Sequence, residues 1–261
     1  FGIKTLPSVL SIKEKIDLAI IAVPTQVVLK IIQECIEKSV KSVIIISSGF
    51  AEAGQKGAIL QDQIKQALNR ENTGFVGPNC LGVLRPCTGL NASFAPMSPN
   101  KGNIALISQS GAIVDAIIDA SFDKSWGFSM IASYGNEAGL SLIDFLKWAR
   151  DDSKTKVIAL YLEGLKNGKQ FFETAKQVST KKPIIILKGG KNPSSQKAVS
   201  SHTGALAGEA QIYSTAFKQA GLIEVFSIQE LLDVSKVLSW HVKCKNGIGI
   251  ITNGGGAGIL A

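Results

Sequence analysis

The sequence has few of the residues that bind metals or form disulfides. Its 261 residues include two histidines and four cysteines, and none of Cys35, Cys80, Cys87 and Cys244 forms a CxxC pair. So few scattered ligands do not make a typical zinc site, and we expect no bound metal ion. Unpaired cysteines in an ordinary globular composition indicate reduced thiols and a cytoplasmic protein.

Long apolar runs are also missing. The longest, "DLAIIAVP" from Asp17 and "SVIIISSGF" from Ser42, fall far short of the roughly 18–20 residues of a membrane span. Both end in turn residues, as buried strands do. The sequence therefore predicts no membrane association. No signal peptide is visible, although the printed sequence begins at Phe1.

Clustered positive charge is absent as well. The net charge is +8, but the lysines are scattered and no aromatic stripe accompanies them. Nucleic-acid-binding proteins concentrate basic residues on one face, so we expect anionic small ligands rather than nucleic acid. There is no GxGxxG motif and no P-loop, and we interpret the glycine run "TNGGGAG" (residues 252–258) as a loop.

Short apolar runs alternate with amphipathic stretches along the whole chain. This alternation predicts parallel sheets covered by helices, an α/β fold. Residues 1–97 are interpreted as a Rossmann-type unit without its first strands, and "APMSPNKGN" (residues 95–103) as a linker. Residues 101–243 are interpreted as a flavodoxin-like doubly wound domain with four strands. Residues 245–261 resemble the opening of a third domain, which indicates part of a longer chain.

Several unusual residues fall at the carboxyl ends of predicted strands, where open parallel sheets bind ligands. The turn "ISQSGA" (residues 107–112) presents a helix N-terminus that suits a phosphate, or Ser108 or Ser110 merely caps the helix. Glu163 ends the strand "VIALYLEG" and either orients an imidazole or is a solvated loop residue. In "GPNCLG", Asn79 either presents its amide or belongs to a structural turn.

One histidine lies in a loop of small residues. His202 belongs to "SSHTGALAG" (residues 200–208), which follows the predicted strand "PIIILKGG". A side chain in such a loop is not packed in a core, so it is available as a nucleophile or proton carrier. The other histidine, His241, lies on a helix with apolar periodicity and is predicted to be structural.

Taken in order, these motifs resemble the NDP-forming acyl-CoA synthetase superfamily. Within it, the chain is most similar to the alpha subunit or alpha half of ADP-forming acetyl-CoA synthetase, a relative of succinyl-CoA synthetase alpha. The matching stretches are "DLAIIAVP", "VIIISSGFAE", "GPNCLG", "LNASFAP", "GNIALISQSGA", "TKVIALYLEG" and "SSHTGALAG". Each motif is weak alone, but the ordered set covers nearly the whole chain.

The resemblance implies an acid–CoA ligase with a CoA-binding first domain. Such an enzyme interconverts acyl-CoA, ADP and phosphate with acid, ATP and CoA, through an acyl phosphate and a phosphohistidine, and acetate is the default acid. His202 would carry the phosphoryl group, and Glu163 would bind the other ring nitrogen. The phosphate-binding residues would be Ser110, Gly111 and Ala112, and the CoA-binding residues would be Val23, Pro24, Ser48, Gly49, Asn79 and Cys80.

The resemblance also implies partners. The family's N-terminal glycine-rich CoA loop and its ATP-grasp domain are not in this sequence. ADP or ATP with Mg²⁺ would therefore bind to an ATP-grasp beta subunit or fused domain, within a hetero- or homo-oligomer. The chain alone is not expected to convert its small carboxylic acid substrate. A further departure is Gly139, where many relatives carry Asp.

Three alternatives remain open from the sequence. A protein lysine acetyltransferase relative shares these domains but typically replaces the histidine. A non-catalytic acyl-CoA-binding or scaffold subunit would need neither His202 nor Glu163. A succinyl-CoA synthetase alpha subunit would read Gly-His-Ala-Gly where this chain reads Ser-His-Thr-Gly.

Overall fold

The structure, a computed structural model, describes residue 2 and residues 4–122, 126–190, 210–240 and 249–260. It contains a three-stranded and a seven-stranded sheet. The smaller sheet is parallel, with the strand order β1-β2-β3. Its elements are β1 (Leu18–Ile21), α1 (Thr25–Glu37), β2 (Ser42–Ile45), α2 (Gln55–Arg70) and β3 (Gly74–Val76). Short 3-10 helices lie at Val9–Ser11, Ala51–Ala53 and Pro86–Thr88.

Apolar periodicity explains how the smaller sheet is covered on both faces. In α1, the residues Val28, Ile32 and Cys35 recur at helical spacing and are buried. They pack with Ile45 of β2 in one core cluster, whereas Ile44 joins the core of the larger sheet. Successive side chains of a strand point to opposite faces, so β2 contacts the helices on one side and the second domain on the other.

The larger sheet has the strand order β10-β9-β8-β6-β7-β4-β5. Its five parallel strands follow the 2-1-3-4-5 order of flavodoxin-like folds when they are numbered along the chain. The flavodoxin-like prediction is therefore confirmed. The strands are β4 (Gly82–Arg85), β5 (Leu90–Ser93), β6 (Lys101–Ser108), β7 (Phe128–Ser133), β8 (Val157–Leu162), β9 (Ile184–Lys188) and β10 (Ile223–Val225).

Helices cover both faces of the larger sheet. The cluster on one face includes buried residues of α4, α5 and α6, and the cluster on the other includes residues of α3 and α7. These helices are α3 (Gly111–Ser121), α4 (Leu142–Asp151), α5 (Gly168–Ser179), α6 (Ala210–Gln219) and α7 (Ile228–Ser239). Serine or asparagine side chains cap α3, α4, α5 and α7, with a full capping box at Ser141 of α4. A further short helix is α8 (Gly255–Leu260).

The structure differs from the sequence-based division at residues 97 and 101. The strands β4 and β5 lie before the predicted linker, yet they form the edge of the larger sheet, and β4 pairs antiparallel with β7. The strand β6 begins at Lys101, inside the stretch interpreted as a linker. The exchange between sheets occurs between β3 and β4, so we place the domain division there.

The segment between the two sheets is bonded to the loop after β7. The carbonyl oxygens of Phe75, Gly77 and Pro78 accept hydrogen bonds of 2.8–3.1 Å from the backbone of residues 136–140. The Leu81 N–H donates to Ser133 Oγ at 3.2 Å. The two domains are therefore joined along a continuous seam and not by a free linker.

Two further predictions need correction. The four strands predicted for the second domain did not include the three-residue β10, which lies between α6 and α7 and pairs with β9. The glycine run was predicted to be a loop, but Gly255–Leu260 is helical. A third domain stays a prediction. In the described part of the chain, no helix combines the length and apolar character needed to cross a membrane.

Candidate functional site

Loops from both domains surround a cavity of about 690 Å³, which we call the large cavity. It lies at the carboxyl ends of β1, β2 and β3 and at the start of α3. Seven residues predicted from the sequence line it, namely Val23, Pro24, Ser48, Asn79, Cys80, Gly111 and Ala112. Of the remaining predictions at this edge, Gly49 follows Ser48 directly and Ser110 caps α3.

Small hydroxyl side chains hold the first-domain wall of the large cavity. Ser47 Oγ donates to the Val23 carbonyl at 2.5 Å and accepts from the Val23 N–H at 3.1 Å. Thr25 Oγ1 donates to the Ser48 carbonyl at 2.5 Å. Gly49 has a φ of 97°, and a Cβ there would lie 2.6 Å from Thr25 Oγ1. These short contacts fix the loops without filling the space between them.

The opposite wall of the large cavity is the first turn of α3. Ser110 caps the helix, since its Oγ accepts from the Ile113 N–H at 3.3 Å. A Cβ on Gly111 would lie 3.3 Å from Leu81 Cβ, so this residue brings the helix close to the loop after β3. The capping interpretation is thus confirmed. It is compatible with anion binding, because the helix dipole leaves partial positive charge at this terminus.

Asn79 and Cys80 form the floor of the large cavity but differ in character. Asn79 has a φ of 57°, and its Nδ2 donates to Asn136 Oδ1 at 3.2 Å. The Cys80 side chain is buried, and its thiol donates to the Ile45 carbonyl at 3.3 Å. Burial raises the pKa of Cys80 to about 12. This thiol is therefore neutral at physiological pH and is not a nucleophile.

A second cavity of about 280 Å³, the small cavity, lies between the domains beside the first. Its polar lining differs from the hydroxyl wall because it consists of long side chains. Asn79 and Gln109 line both cavities and separate them. The polar side chains of the small cavity are Glu52, Gln61, Asn79, Gln109, Asn136, Glu137, Glu163 and Lys166.

Asn136 links the two domains across the small cavity. Its side chain accepts from Asn79 and donates to Gln61 Oε1 at 2.9 Å and to Glu52. Burial opposes ionisation of Glu52, but the hydrogen bonds from Asn136 and from the Gly49 and Phe50 N–H groups outweigh it and lower the pKa of Glu52. Glu52 is therefore ionised at neutral pH and fixes Asn136.

Glu137 and Lys166 carry opposite charges in the same cavity. Burial raises the pKa of Glu137, although its Oε1 accepts from the Leu142 N–H at 2.8 Å. Burial lowers the pKa of Lys166, whose Nζ donates to the Asn136 and Glu137 carbonyl oxygens at 2.6 and 2.9 Å. Burial therefore disfavours the charged form of both side chains.

Glu163 is buried at the edge of the small cavity, directly after β8. Gln109 Oε1 accepts from the Glu163 and Gly164 N–H groups at 2.5 and 3.0 Å. Lys188 Nζ donates to the Glu163 carbonyl at 2.8 Å. Burial, the Glu163 charge and a hydrogen bond to its side chain raise the pKa of Tyr161 to about 12. Hydrogen bonds therefore fix both the Glu163 carboxylate and the Glu163 backbone.

The predicted phosphoryl carrier, His202, lies outside the described residues. The chain leaves β9 beside β8, with Lys188 in register with Leu162, and the described part stops at residue 190 before α6 begins at Ala210. The described elements on either side of this segment, β9 and α6, both belong to the second domain. The role of His202 stays a prediction.

The sequence analysis missed Ser47, Gln109 and Asn136. Gln109 was within the quoted turn "ISQSGA", directly after β6, but no pattern distinguishes it from an exposed loop amide. Its importance depends on the adjacency of β6 and β8, which only the fold provides. Within the described ranges, no group of three or more His, Cys, Asp or Glu side chains could hold a metal ion.

Steric crowding explains why position 139 is occupied by glycine in this fold. A Cβ at this position would lie 2.2 Å from the Phe75 carbonyl oxygen, and Leu140 N–H donates to that oxygen at 2.8 Å. Backbone cannot move away as a flexible side chain can. An Asp at this position would therefore require a different path of the loop that joins the domains.

Comparisons with known proteins agree with this architecture. The chain matches the family described as "CoA binding domain" over residues 1–86 and the family described as "Succinyl-CoA ligase like flavodoxin domain" over residues 101–238. It is 47% identical to an ADP-forming acetate–CoA ligase of Methanocaldococcus jannaschii, over 100% of this chain and 37% of that protein.

Two further comparisons involve an alpha subunit and a solved structure. The chain is 41% identical to the alpha subunit of ADP-forming acetate–CoA ligase II of Pyrococcus furiosus, over 99% of this chain and 56% of that protein. A structure of the dinucleotide-forming acetyl-coenzyme A synthetase 1 of Ca. Korarchaeum cryptofilum with phosphate and ADP has a TM-score of 0.88, with 38% identity over 99% of this chain and 56% of that chain. The chain thus spans about half or less of these relatives.

Proposed function

Because the chain belongs to the NDP-forming acyl-CoA synthetase superfamily, we propose that it is the alpha part of an ADP-forming acid–CoA ligase. The large cavity binds the acyl-CoA thioester and inorganic phosphate, and His202 carries the phosphoryl group onward. The observation that supports this most is that seven of the nine CoA-side and phosphate-side residues predicted from the sequence line one cavity.

The form of the large cavity suits a long thioester ligand. Its volume of about 690 Å³ is in the range of small-molecule sites. Val23 and Pro24 offer an apolar surface, whereas Ser48 and Thr25 offer hydroxyl and carbonyl groups. A pantetheine arm combines apolar carbons with amides, so this mixed lining is complementary to it.

The first chemical step takes place at the α3 end of the cavity. A phosphate oxygen attacks the thioester carbonyl carbon, the new C–O bond forms and the C–S bond breaks. CoA leaves as the thiolate, which takes up a proton, and an acyl phosphate remains. The N-terminus of α3 at Gly111 and Ala112 stabilises the phosphate charge throughout. Cys80 takes no covalent part, because burial keeps its thiol protonated.

The second step transfers the phosphoryl group to the chain. A ring nitrogen of His202 attacks the phosphorus atom, the bond to the acyl oxygen breaks, and the carboxylic acid leaves as its anion. Glu163 accepts a hydrogen bond from the other ring N–H, which orients the ring and stabilises its positive charge. An oxygen of the ADP β-phosphate then takes the phosphoryl group, forms ATP and regenerates the imidazole.

The nucleotide step requires a second component. The chain covers 37% and 56% of two relatives named as ADP-forming acetate–CoA ligases. An ATP-grasp beta subunit or fused domain therefore binds ADP or ATP with Mg²⁺. Acetate is the acid. Cys35, Cys80 and Cys87 are free thiols, which supports a cytoplasmic location.

Phosphohistidine mapping tests the proposal. The full-length protein with its ATP-grasp part is incubated with Mg²⁺ and ATP labelled at the γ-phosphate, without acid or CoA. We expect an acid-labile, base-stable label on the peptide that contains His202. The His241→Ala variant is the matched control and should label normally, whereas His202→Ala should not. Folded protein that takes up no label would refute the carrier mechanism and favour an acyl-CoA-binding subunit without catalysis.

A further inference from the structure

The backbone around Glu163 is held by side chains and not by sheet pairing. Residues 163 and 164 follow the end of β8, where backbone pairing with β6 and β9 stops. Gln109 Oε1 accepts from both N–H groups of this dipeptide, and Gln109 Nε2 donates to the Gly164 carbonyl at 3.1 Å. The Gln109 amide therefore replaces a strand partner at the place where the site begins.

A single side chain makes all three of these bonds. The two N–H groups need an acceptor, and the Gly164 carbonyl needs a donor. The primary amide of Gln109 supplies both, because its oxygen accepts and its NH2 group donates. Gln109 is itself anchored, since its backbone N–H donates to the Tyr161 carbonyl at 3.3 Å. The amide is thus fixed relative to β8 from both directions.

The position of Gln109 connects this clamp to the ligand space. Its side chain lines the large and the small cavity, whereas Glu163 lines the small cavity. From this geometry we propose that Gln109 is the positioning residue for Glu163, whose carboxylate acts in the phosphoryl transfer of the proposed function. This inference rests on the proposed function for its chemical role, but the clamp itself does not.

The position of a hydrogen-bond acceptor controls how well it orients an imidazole. A displacement of about 1 Å is enough to slow a transfer step severely. Loss of the Gln109 amide would leave two N–H groups and one carbonyl of residues 163–164 without their present partner. The bond from Lys188 Nζ to the Glu163 carbonyl would remain.

Variants of the full-length protein with its ATP-grasp part test the inference. Gln109→Met keeps the length of the side chain and removes the three bonds, and Gln109→Glu keeps the two acceptor contacts. We expect Gln109→Met to slow labelling of His202 from ATP by about tenfold, and Gln109→Glu to recover part of that loss. In the Glu163→Ala background, which removes the acceptor itself, the same Gln109→Met change should add almost nothing, because both residues act through one side chain.

A second readout does not depend on the function. Hydrogen exchange at the amides of residues 163 and 164 should become at least about tenfold faster in Gln109→Met. Gln61→Met makes the same chemical change in the wall of the small cavity and should leave this exchange unaltered.

The outcomes separate the two proposals. Faster exchange in a parent protein that never labels His202 would refute the proposed function and retain Gln109 as the clamp of Glu163. Unchanged exchange in Gln109→Met would overturn the inference. Equal slowing of labelling in the wild-type and Glu163→Ala backgrounds would also overturn it, because Gln109 would then act independently of Glu163.

Discussion

The two sheets end at neighbouring cavities, but their loops are built from opposite kinds of side chain. After β1 and β2, the hydroxyls of Ser47 and Thr25 reach only the adjacent loop, and Gly49 contributes no side chain. At the ends of β6 and β9, the long side chains of Gln109 and Lys188 reach across to the backbone of Glu163, which follows β8. The first edge borders about 690 Å³ of space, and the second about 280 Å³.

In the proposed function, this difference separates ligand binding from phosphoryl transfer. Short neutral groups leave room for a large ligand and add no net charge, so among the described residues at this edge the α3 terminus is the group that attracts an anion. Long side chains leave less room in the small cavity and bring Glu52, Glu137 and Glu163 together with Lys166. We therefore propose the large cavity as the site of the free phosphate.

Among the changes predicted here, removal of the Glu163 charge should have the largest effect. It should affect phosphoryl transfer beside Glu163 and leave ligand binding in the large cavity nearly unchanged. We expect Glu163→Gln to slow labelling of His202 by about 100-fold, because an amide oxygen orients imidazole but does not stabilise its positive charge. The affinity for CoA, measured by calorimetry on the full-length protein, should change less than about twofold. Equal losses in both measurements would show that the two edges do not have separate tasks.

A complementary change at Gly49 disturbs the loops after β1 and β2, which the Ser47 and Thr25 hydroxyls hold. Gly49→Ala places a Cβ 2.6 Å from Thr25 Oγ1 at a φ of 97°, so we expect loss of the Thr25 hydrogen bond in addition to backbone strain. Gly54→Ala is the matched control, because its φ is 108° and nothing lies within 4 Å of its Cβ. In urea denaturation, Gly49→Ala should cost about 1 kcal/mol more than Gly54→Ala. It should also weaken CoA binding.

A double variant distinguishes the collision from strain. Thr25→Ala combined with Gly49→Ala removes the atom that the new Cβ meets, so the extra cost of Gly49→Ala relative to Gly54→Ala should disappear in the Thr25→Ala background. An extra cost that persists would mean that the wall is held by contacts other than those of the Thr25 hydroxyl. His202 labelling should be unchanged in each of these variants, since no contact of residues 163–164 is altered.

The pH dependence of stability sharpens the comparison at the boundary. The pKa of Glu52 is lowered, so its contribution to stability is present above its ordinary value of 4.5 and is lost as the pH falls through the folded value. The pKa of Glu137 is raised, so its ionisation reduces stability as the pH rises above 4.5. At pH 7, Glu52→Gln should lower Tm by about 1–3 °C and Glu137→Gln should raise it slightly.

Melting curves between pH 3 and pH 8 provide the check. The parent protein and Glu52→Gln should converge at the acid end, where the carboxyl group is protonated. The advantage of Glu137→Gln should vanish there as well. A constant difference at all pH values would assign both effects to packing instead of charge.

The smallest effect is expected at the core beneath the charged edge. The Tyr134 hydroxyl is fully buried and makes no hydrogen bond within the described ranges. Burial raises the pKa of Tyr134, so the group stays protonated. Tyr134→Phe removes an unpaired polar atom and should change the free energy of unfolding by less than about 0.5 kcal/mol. A loss above about 1 kcal/mol in chemical denaturation would reveal that the Tyr134 hydroxyl does make a hydrogen bond.

Most of the fold could be predicted because the parallel strands are long and apolar. The strands β6, β8 and β9 are buried on both faces, and each is followed by an amphipathic helix. The strands β4, β5 and β10 escaped prediction because each has only three or four residues of mixed polarity, and because β4 and β10 pair with β7 and β9, which are distant in sequence. Short mixed segments such as "LNAS" acquire strand structure from the sheet edge that they meet.

The candidate site was predicted to a similar extent. Asn79 could be noticed because it follows a strand at the ligand edge of a parallel sheet, whereas Ser48 was assigned through the family resemblance. Gln109 and Asn136 could not be assigned, since their partners are set by strand order and by the contact between domains. His202 was selected by its loop and by the resemblance, and its contacts stay a prediction.

The exchange of sheets between β3 and β4 has a mechanical consequence. An enzyme whose halves meet through a single flexible joint can swing open to admit its ligand. Here the segment from Phe75 to Leu81 is hydrogen-bonded to β7 and to the loop after it. The strands β4 and β5, which come next in the chain, already belong to the larger sheet. Any opening must therefore come from loops moving over a stiff frame, and a graft that transplants the CoA-side half onto another scaffold must cut ahead of Gly82.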